Sequence, residues 1–243
     1  MKSTLLSALV PALAAAANPP AFILAGDSTT AVQAANGGGW GNGFISFLKS
    51  PATGVNKGHN GATTKSFVEG GDWATVKGLV GSSQASGHDV YVTIQFGHND
   101  QKSTSGVTLA QFQTNLVNLA KDVLSWGATP LLVTPLTRRT FSGGSVEDSL
   151  HDERLATIAA AGTAAVAYLD LNAASIAYVD AIGEAAAHAY NLNAGDNTHL
   201  GAWGSVVFGR LVADLLLERR ADLAPWFLPN QTLSDEIRDG LPA

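Results

Sequence analysis

Apolar runs that alternate with segments of helical periodicity predict a parallel β-sheet covered by helices on both faces. Three observations carry this. Residues 21–26 (AFILAG) form a short unbroken apolar run, as a strand buried on both faces requires. Residues 89–97 (DVYVTIQFG) are dense in β-branched and aromatic side chains, which pack well on a pleated surface. Between residues 109 and 126, Leu109, Phe112, Leu116, Leu119, Val123 and Leu124 recur at helical spacing. Strand, helix and strand in succession imply parallel pairing, with helices layered on the sheet.

The remaining elements follow in order. Residues 36–43 (NGGGWGNG) read as a loop and 44–48 as a short helix. Gly127 stops the helix that begins at Leu109. Residues 129–136 (TPLLVTPL) read as a second buried strand. Residues 150–162 are expected to be helical, 165–171 (AVAYLDL) a strand, and 173–189 helical again. A final helix over 202–219 puts Val206, Val207, Leu211, Leu215 and Leu216 on one face. The segment after Pro225 carries few core signals and is expected to wrap the surface. There is no internal repeat and no low-complexity linker.

The chain has 243 residues, of which 46% are apolar, so one domain can bury a sizeable core. Charge is sparse, with a net of −6. A mildly acidic surface argues against nucleic-acid binding. Lys2, an apolar run over residues 5–17 and the small residues Ala15, Ala16 and Ala17 have the layout of a secretory signal peptide. Residues 1–17 are therefore expected to be a leader, residues 18–243 a single mature domain, and the protein a secreted monomer. That run is too short for a comfortable membrane span. There is no cysteine, which excludes a thiol nucleophile and thiolate metal sites. No His, Asp or Glu cluster has convincing metal-ligand spacing, so neither metal nor cofactor is expected. Asn230-Gln231-Thr232 is a glycosylation sequon.

In a parallel sheet, ligands sit beyond the C-terminal ends of the strands. Three polar clusters fall at such places or beside them. Gly26-Asp27-Ser28-Thr29 follows the first strand. Ser28 can face a cleft there, but Ser and Asp also favour helix caps. Gly97-His98-Asn99-Asp100 follows the strand over 89–97. The Asn99 amide can donate to a developing oxyanion, or simply make an Asx turn. Asp196-Asn197-Thr198-His199 precedes the last helix. A serine hydroxyl needs a base, usually histidine, and the histidine needs an acceptor at its other nitrogen. Asp196 and His199 can supply both, or can be a cap and a surface residue. Asn60-Gly61-Ala62 alone is only a loop glycine. The pattern Gly-x-Ser-x-Gly, which marks the usual α/β-hydrolase elbow, is absent from the sequence.

Taken together, these pieces resemble the signature blocks of the SGNH (GDSL-type) hydrolase superfamily. Ser28, Gly61, Asn99 and His199 match its four namesake residues, and Asp196 matches the acid of its final D-x-x-H block. Successive intervals are 33, 38, 97 and 3 residues from Ser28 through Gly61, Asn99 and Asp196 to His199. The resemblance implies a flavodoxin-like, doubly wound α/β/α fold. It implies Ser28 as nucleophile, His199 as base and Asp196 as its orienting acid. The N–H groups of Ser28 and Gly61 and the Asn99 side chain would form the oxyanion hole. Asp27 and Asp100 are expected to brace their turns, and His98 to play a supporting part.

Within the superfamily, Gly26-Asp27-Ser28-Thr29, Trp40-Gly41 and Phe96-Gly97-His98-Asn99-Asp100 are similar to the rhamnogalacturonan acetylesterase-like group. Lipase-like relatives more often carry Leu where this chain has Thr29. The chain lacks the cysteines of disulfide-bearing members. That resemblance implies removal of acetyl groups from a pectic polysaccharide. Such a substrate calls for aromatic platforms and cations at an open cleft. Trp40 and Trp73 are candidates for the first, and Arg138 and Arg139 for the second. The alternatives are another esterase on the same scaffold (lipase, thioesterase or xylan esterase) and an inactive secreted carbohydrate-binding protein.

Overall fold

The computed structural model describes residues 18–35 and 37–243, so the expected leader over residues 1–17 lies outside the described residues. The first strand, β1 (Pro20–Gly26), is buried along its whole length, as its unbroken apolar sequence demands. Then come α1 (Gly41–Ser46), β2 (Thr53–Asn56), α2 (Thr64–Glu69), α3 (Asp72–Ala85) and β3 (Asp89–Gln95). Next are α4 (Leu109–Ser125), β4 (Thr129–Val133), and a short hairpin of β5 (Phe141–Ser142) and β6 (Ser145–Val146). The chain continues through α5 (His151–Ala164), β7 (Ala167–Leu169), α6 (Leu171–His188) and α7 (Ala202–Arg219). It ends in a 3₁₀ turn (Ala221–Trp226) and α8 (Gln231–Arg238).

Five strands form one parallel sheet in the order β2-β1-β3-β4-β7. Alternating side chains of β1 feed two separate cores. Phe22 and Leu24 pack with residues of α1, α6, α7 and α8. Ala21, Ile23 and Ala25 pack with residues of α2, α3, α4 and α5. The result is the expected three-layer, doubly wound α/β/α arrangement.

From β1 the chain goes to β2 on one side, then crosses to β3 on the other. The loops leaving β1 and β3 therefore diverge and open a crevice at the C-terminal edge. The clusters around Ser28 and Asn99 stand at this switch point.

The tail corrects an expectation. It does not merely wrap the surface: Phe227, Leu233 and Ile237 are buried in the first core. Leu233 and Ile237 lie one helical turn apart on α8, and Asn230 caps that helix by accepting the Leu233 N–H at 3.2 Å.

Candidate active site

The turn after β1 is held by fully buried polar groups. Asp27 Oδ1 accepts the Thr29 N–H at 2.8 Å and the Thr29 hydroxyl at 2.7 Å. Gln95, at the end of the adjacent β3, accepts two donors on one carbonyl oxygen, the Thr30 hydroxyl (2.8 Å) and Trp40 Nε1–H (3.0 Å), and that oxygen lies 3.0 Å from the Thr29 hydroxyl, whose single proton goes to Asp27. The glycine-rich segment then lies along the turn. Gly38, Trp40 and Gly41 donate their N–H groups to the carbonyls of Ser28, Thr29 and Thr30. A Cβ on Gly39 would stand 1.8 Å from the Thr29 carbonyl oxygen, so only glycine permits this approach. Ser28 is thereby fixed at the sheet edge and is 5% exposed.

His199 arrives from the opposite end of the chain. Its Nε2 lies 2.8 Å from Ser28 Oγ, and its Nδ1 lies 2.9 Å from Asp196 Oδ2. Asp196 Oδ1 also accepts the N–H groups of Thr198 (3.1 Å) and His199 (3.0 Å). Partial burial works against the charge on Asp196, but these hydrogen bonds hold its carboxyl below the usual carboxylate range. An ionised acceptor at Nδ1 places the histidine proton there and leaves Nε2 free to accept from the serine. Ser28, His199 and Asp196 thus form one continuous hydrogen-bonded chain.

The other expected residues gather beside it. Gly61 adopts φ +81°, a left-handed conformation that favours glycine. The Ser28 and Gly61 N–H groups donate to no protein acceptor among the described residues. Asn99 is buried, and its Nδ2 donates to the Ala62 carbonyl at 3.0 Å, which ties the β3 loop to the Gly61 loop.

The expected substrate contacts need correction. Trp40 is wholly buried, locked to Gln95 and packed edge-on against Phe44. Trp73 is buried too, donating to Asp122 at 3.0 Å and packing against Phe67 and Trp126. Neither is a surface platform; both rings satisfy their single donor internally and fill cores. Arg139 is also wholly buried. It donates to Asn191 Oδ1 (2.5 Å) and the His199 carbonyl (2.7 Å), so it anchors the histidine segment from inside the fold and is not an exposed cation at the cleft. Burial pulls its guanidinium down to about 10. Arg138 is half-buried and donates to Ser149 Oγ at 2.9 Å. Gln95 is the site residue that sequence reasoning missed. Its signal was an amide at the buried C-terminal end of a strand dense in β-branched and aromatic residues.

Beneath the serine lies a buried titratable group of three. Asp27 and His98 face each other at 3.7 Å, beyond hydrogen-bond reach. Burial pushes the His98 imidazole down, against the pull of the Asp27 carboxylate. Burial raises Asp27, but attraction to the His98 ring and the two Thr29 bonds outweigh it and hold the carboxyl below its ordinary value. Asp100 accepts the Thr64 N–H (2.9 Å) and hydroxyl (2.6 Å) on Oδ1. Burial nevertheless pushes it up from 3.8 to about 6. A carboxyl raised in this way binds more protons folded than unfolded. Its stabilising contribution is full below pH 3.8 and is lost as pH rises through about 6. Asp100→Asn should therefore gain stability relative to wild type between pH 4 and pH 7, by up to about 3 kcal/mol. Urea unfolding at both pH values reads this directly; a constant or shrinking difference contradicts it.

The GDSL-like lipase/acylhydrolase family model matches residues 22–212, a span that contains every residue of the hydrogen-bonded chain. The chain belongs to this family. As a GDSL acylhydrolase it is a carboxylic ester hydrolase. Among its relatives, the rhamnogalacturonan acetylesterase RhgT of Bacillus subtilis is 30% identical over 81% of this chain and 89% of its own length. A second protein of that organism, named as the probable rhamnogalacturonan acetylesterase YesY, is 28% identical over 78% of this chain and 89% of its own length. The GDSL fold recurs in an acetyl-xylooligosaccharide esterase of Geobacillus, with a TM-score of 0.61, 19% identity and coverage of 83% and 94% of the two chains.

Proposed function

We propose that this acylhydrolase is a secreted serine acetylesterase that deacetylates plant cell-wall polysaccharide, chiefly pectic rhamnogalacturonan. The observation that carries the catalytic part is the 2.8 Å approach of His199 Nε2 to Ser28 Oγ, with Asp196 behind the ring. Ser28 Oγ attacks the ester carbonyl carbon as His199 takes its proton. The carbonyl oxygen becomes an oxyanion between the N–H groups of Ser28 and Gly61 and the Asn99 amide. The tetrahedral adduct collapses, and His199 gives the proton to the departing sugar oxygen. Water then attacks the acetyl-Ser28 ester with His199 again as base, releasing acetate and restoring the hydroxyl.

The substrate part rests on the resemblance to the two rhamnogalacturonan acetylesterases. It also rests on a polar trough of about 380 Å³, lined by Val32, Asn56, Lys57, Gly58, His59 and Asp72. Gly58 and His59 lie in the same loop as Gly61, and the His59 N–H donates to the carbonyl of Gly26 at the end of β1. A trough with this lining suits a hydrated sugar chain better than a long acyl tail.

The test is acetate release from acetylated rhamnogalacturonan and acetylated xylan, side by side. Faster release from the pectic polymer is expected. Preference for xylan, or turnover of aryl esters alone, would remove the pectin assignment and leave the triad standing.

A further inference from the structure

We propose that Lys102 is a positioning residue that fixes and polarises the Asn99 amide. This rests on the oxyanion-hole reading of Asn99. The Asn99 carboxamide offers one oxygen and two N–H bonds. Lys102 Nζ donates to Asn99 Oδ1 at 2.6 Å, a short charge-assisted bond. One N–H of Asn99 is given to the Ala62 carbonyl at 3.0 Å. The second N–H has no protein acceptor among the described residues. Every group of the amide except one donor is therefore committed.

Two consequences follow from chemistry alone. A lysine ammonium only donates, and a backbone carbonyl only accepts. Together they permit a single orientation of the amide, with nitrogen toward Ala62 and oxygen toward Lys102. A cation on the carbonyl oxygen also draws the nitrogen lone pair toward the carbonyl, which strengthens the C–N bond and leaves the nitrogen electron-poor. The remaining N–H becomes a stronger donor, as cooperative hydrogen-bond chains generally do. That gain matters most when negative charge develops on the substrate oxygen, so it should be felt in the transition state. Asn99 and Lys102 sit three residues apart in the turn that leaves β3, where the Lys102 N–H also bonds the Asn99 carbonyl at 3.2 Å. The lysine reaches Asn99 from the solvent side: the Lys102 residue is exposed, whereas Asn99 is buried. Its loss should leave the core untouched.

The experiment compares Lys102→Met, Lys102→Arg, Asn99→Ala and the double variant Lys102→Met/Asn99→Ala on an aryl acetate. Affinity for a boronic acid, which forms a tetrahedral anionic adduct on the serine, is read in parallel. Lys102→Met is expected to lower kcat about tenfold with KM within twofold, and to weaken boronate binding by a similar factor. Lys102→Arg, which keeps a donor cation, should recover most of the loss. Asn99→Ala should lower kcat ~10²–10³-fold, with no further loss on adding Lys102→Met. If Lys102→Met keeps full kcat while Asn99→Ala is impaired, the role of Lys102 is refuted and the oxyanion-hole reading survives. If Asn99→Ala is itself silent, that reading fails and takes the proposal with it. An effect on KM alone, or equal effects of Met and Arg, would also overturn it.

Discussion

Ser28→Ala is expected to lower kcat toward an aryl acetate by a factor on the order of 10⁴–10⁶, with little change in melting temperature. The hydroxyl makes one observed side-chain contact, to His199 Nε2. The turn that carries it is fixed by Asp27, Gln95 and the backbone of the glycine-rich segment, none of which needs the hydroxyl. Removing one oxygen therefore deletes the attacking atom and leaves its support intact. Stopped assays with purified protein, paired with thermal unfolding, separate the two effects. Activity within tenfold of wild type would mean that another group attacks the ester.

Asp196→Asn should cost nearly as much, about 10⁴ in kcat. The reason lies in the carboxylate's two oxygens. Oδ1 accepts two backbone N–H groups, from Thr198 and His199, and also lies 3.2 Å from the ring nitrogen Nδ1. In the amide, those backbone donors keep the oxygen on their side. The NH₂ then stands where Oδ2 now lies, 2.9 Å from His199 Nδ1. A donor at that place favours the proton on Nε2, the nitrogen that faces Ser28. The base is then blocked by its own hydrogen. The loss should appear in kcat, with KM little changed, and the fold should survive because the loop's backbone bonds remain. A variant that retains a tenth or more of wild-type kcat would show that the acid does not set the tautomer.

The parts of this structure that were legible in the sequence share one property: their side chains have a single environment. β1, β3 and β4 are buried on both faces, and read as apolar runs (β1, β4) or as a run dense in β-branched and aromatic residues (β3). α4 has one clear apolar stripe, and α7 was placed from its apolar residues with matching bounds. β2 escaped because it is an edge strand, with half of its residues exposed and no apolar run to mark it. In α3 only Trp73, Val76 and Val80 are buried, and two glycines interrupt the pattern. α8 was within reach, since Leu233, Ile237 and the capping Asn230 are its whole signal. In the site, polar clusters at strand ends pointed to the residues that the fold brings together. The tryptophans misled because a ring with one polar atom suits a sugar surface and a sealed core equally well. Only the position of Gln95 Oε1 and Asp122 Oδ2 decides between them. Arg139 misled for the same reason, since a guanidinium serves a backbone carbonyl as readily as a uronate.

Ser28 and His199 meet across 171 residues of sequence. The serine is threaded through the ribosome early and the histidine late. Between them lie four of the five strands of the sheet that aligns the pair. On the proposed mechanism, a nascent chain arrested before residue 199 holds a hydroxyl but no base. Esterase turnover should therefore appear only once the turn after β1 and the segment before α7 have met, so it reports the closure of the sheet between them.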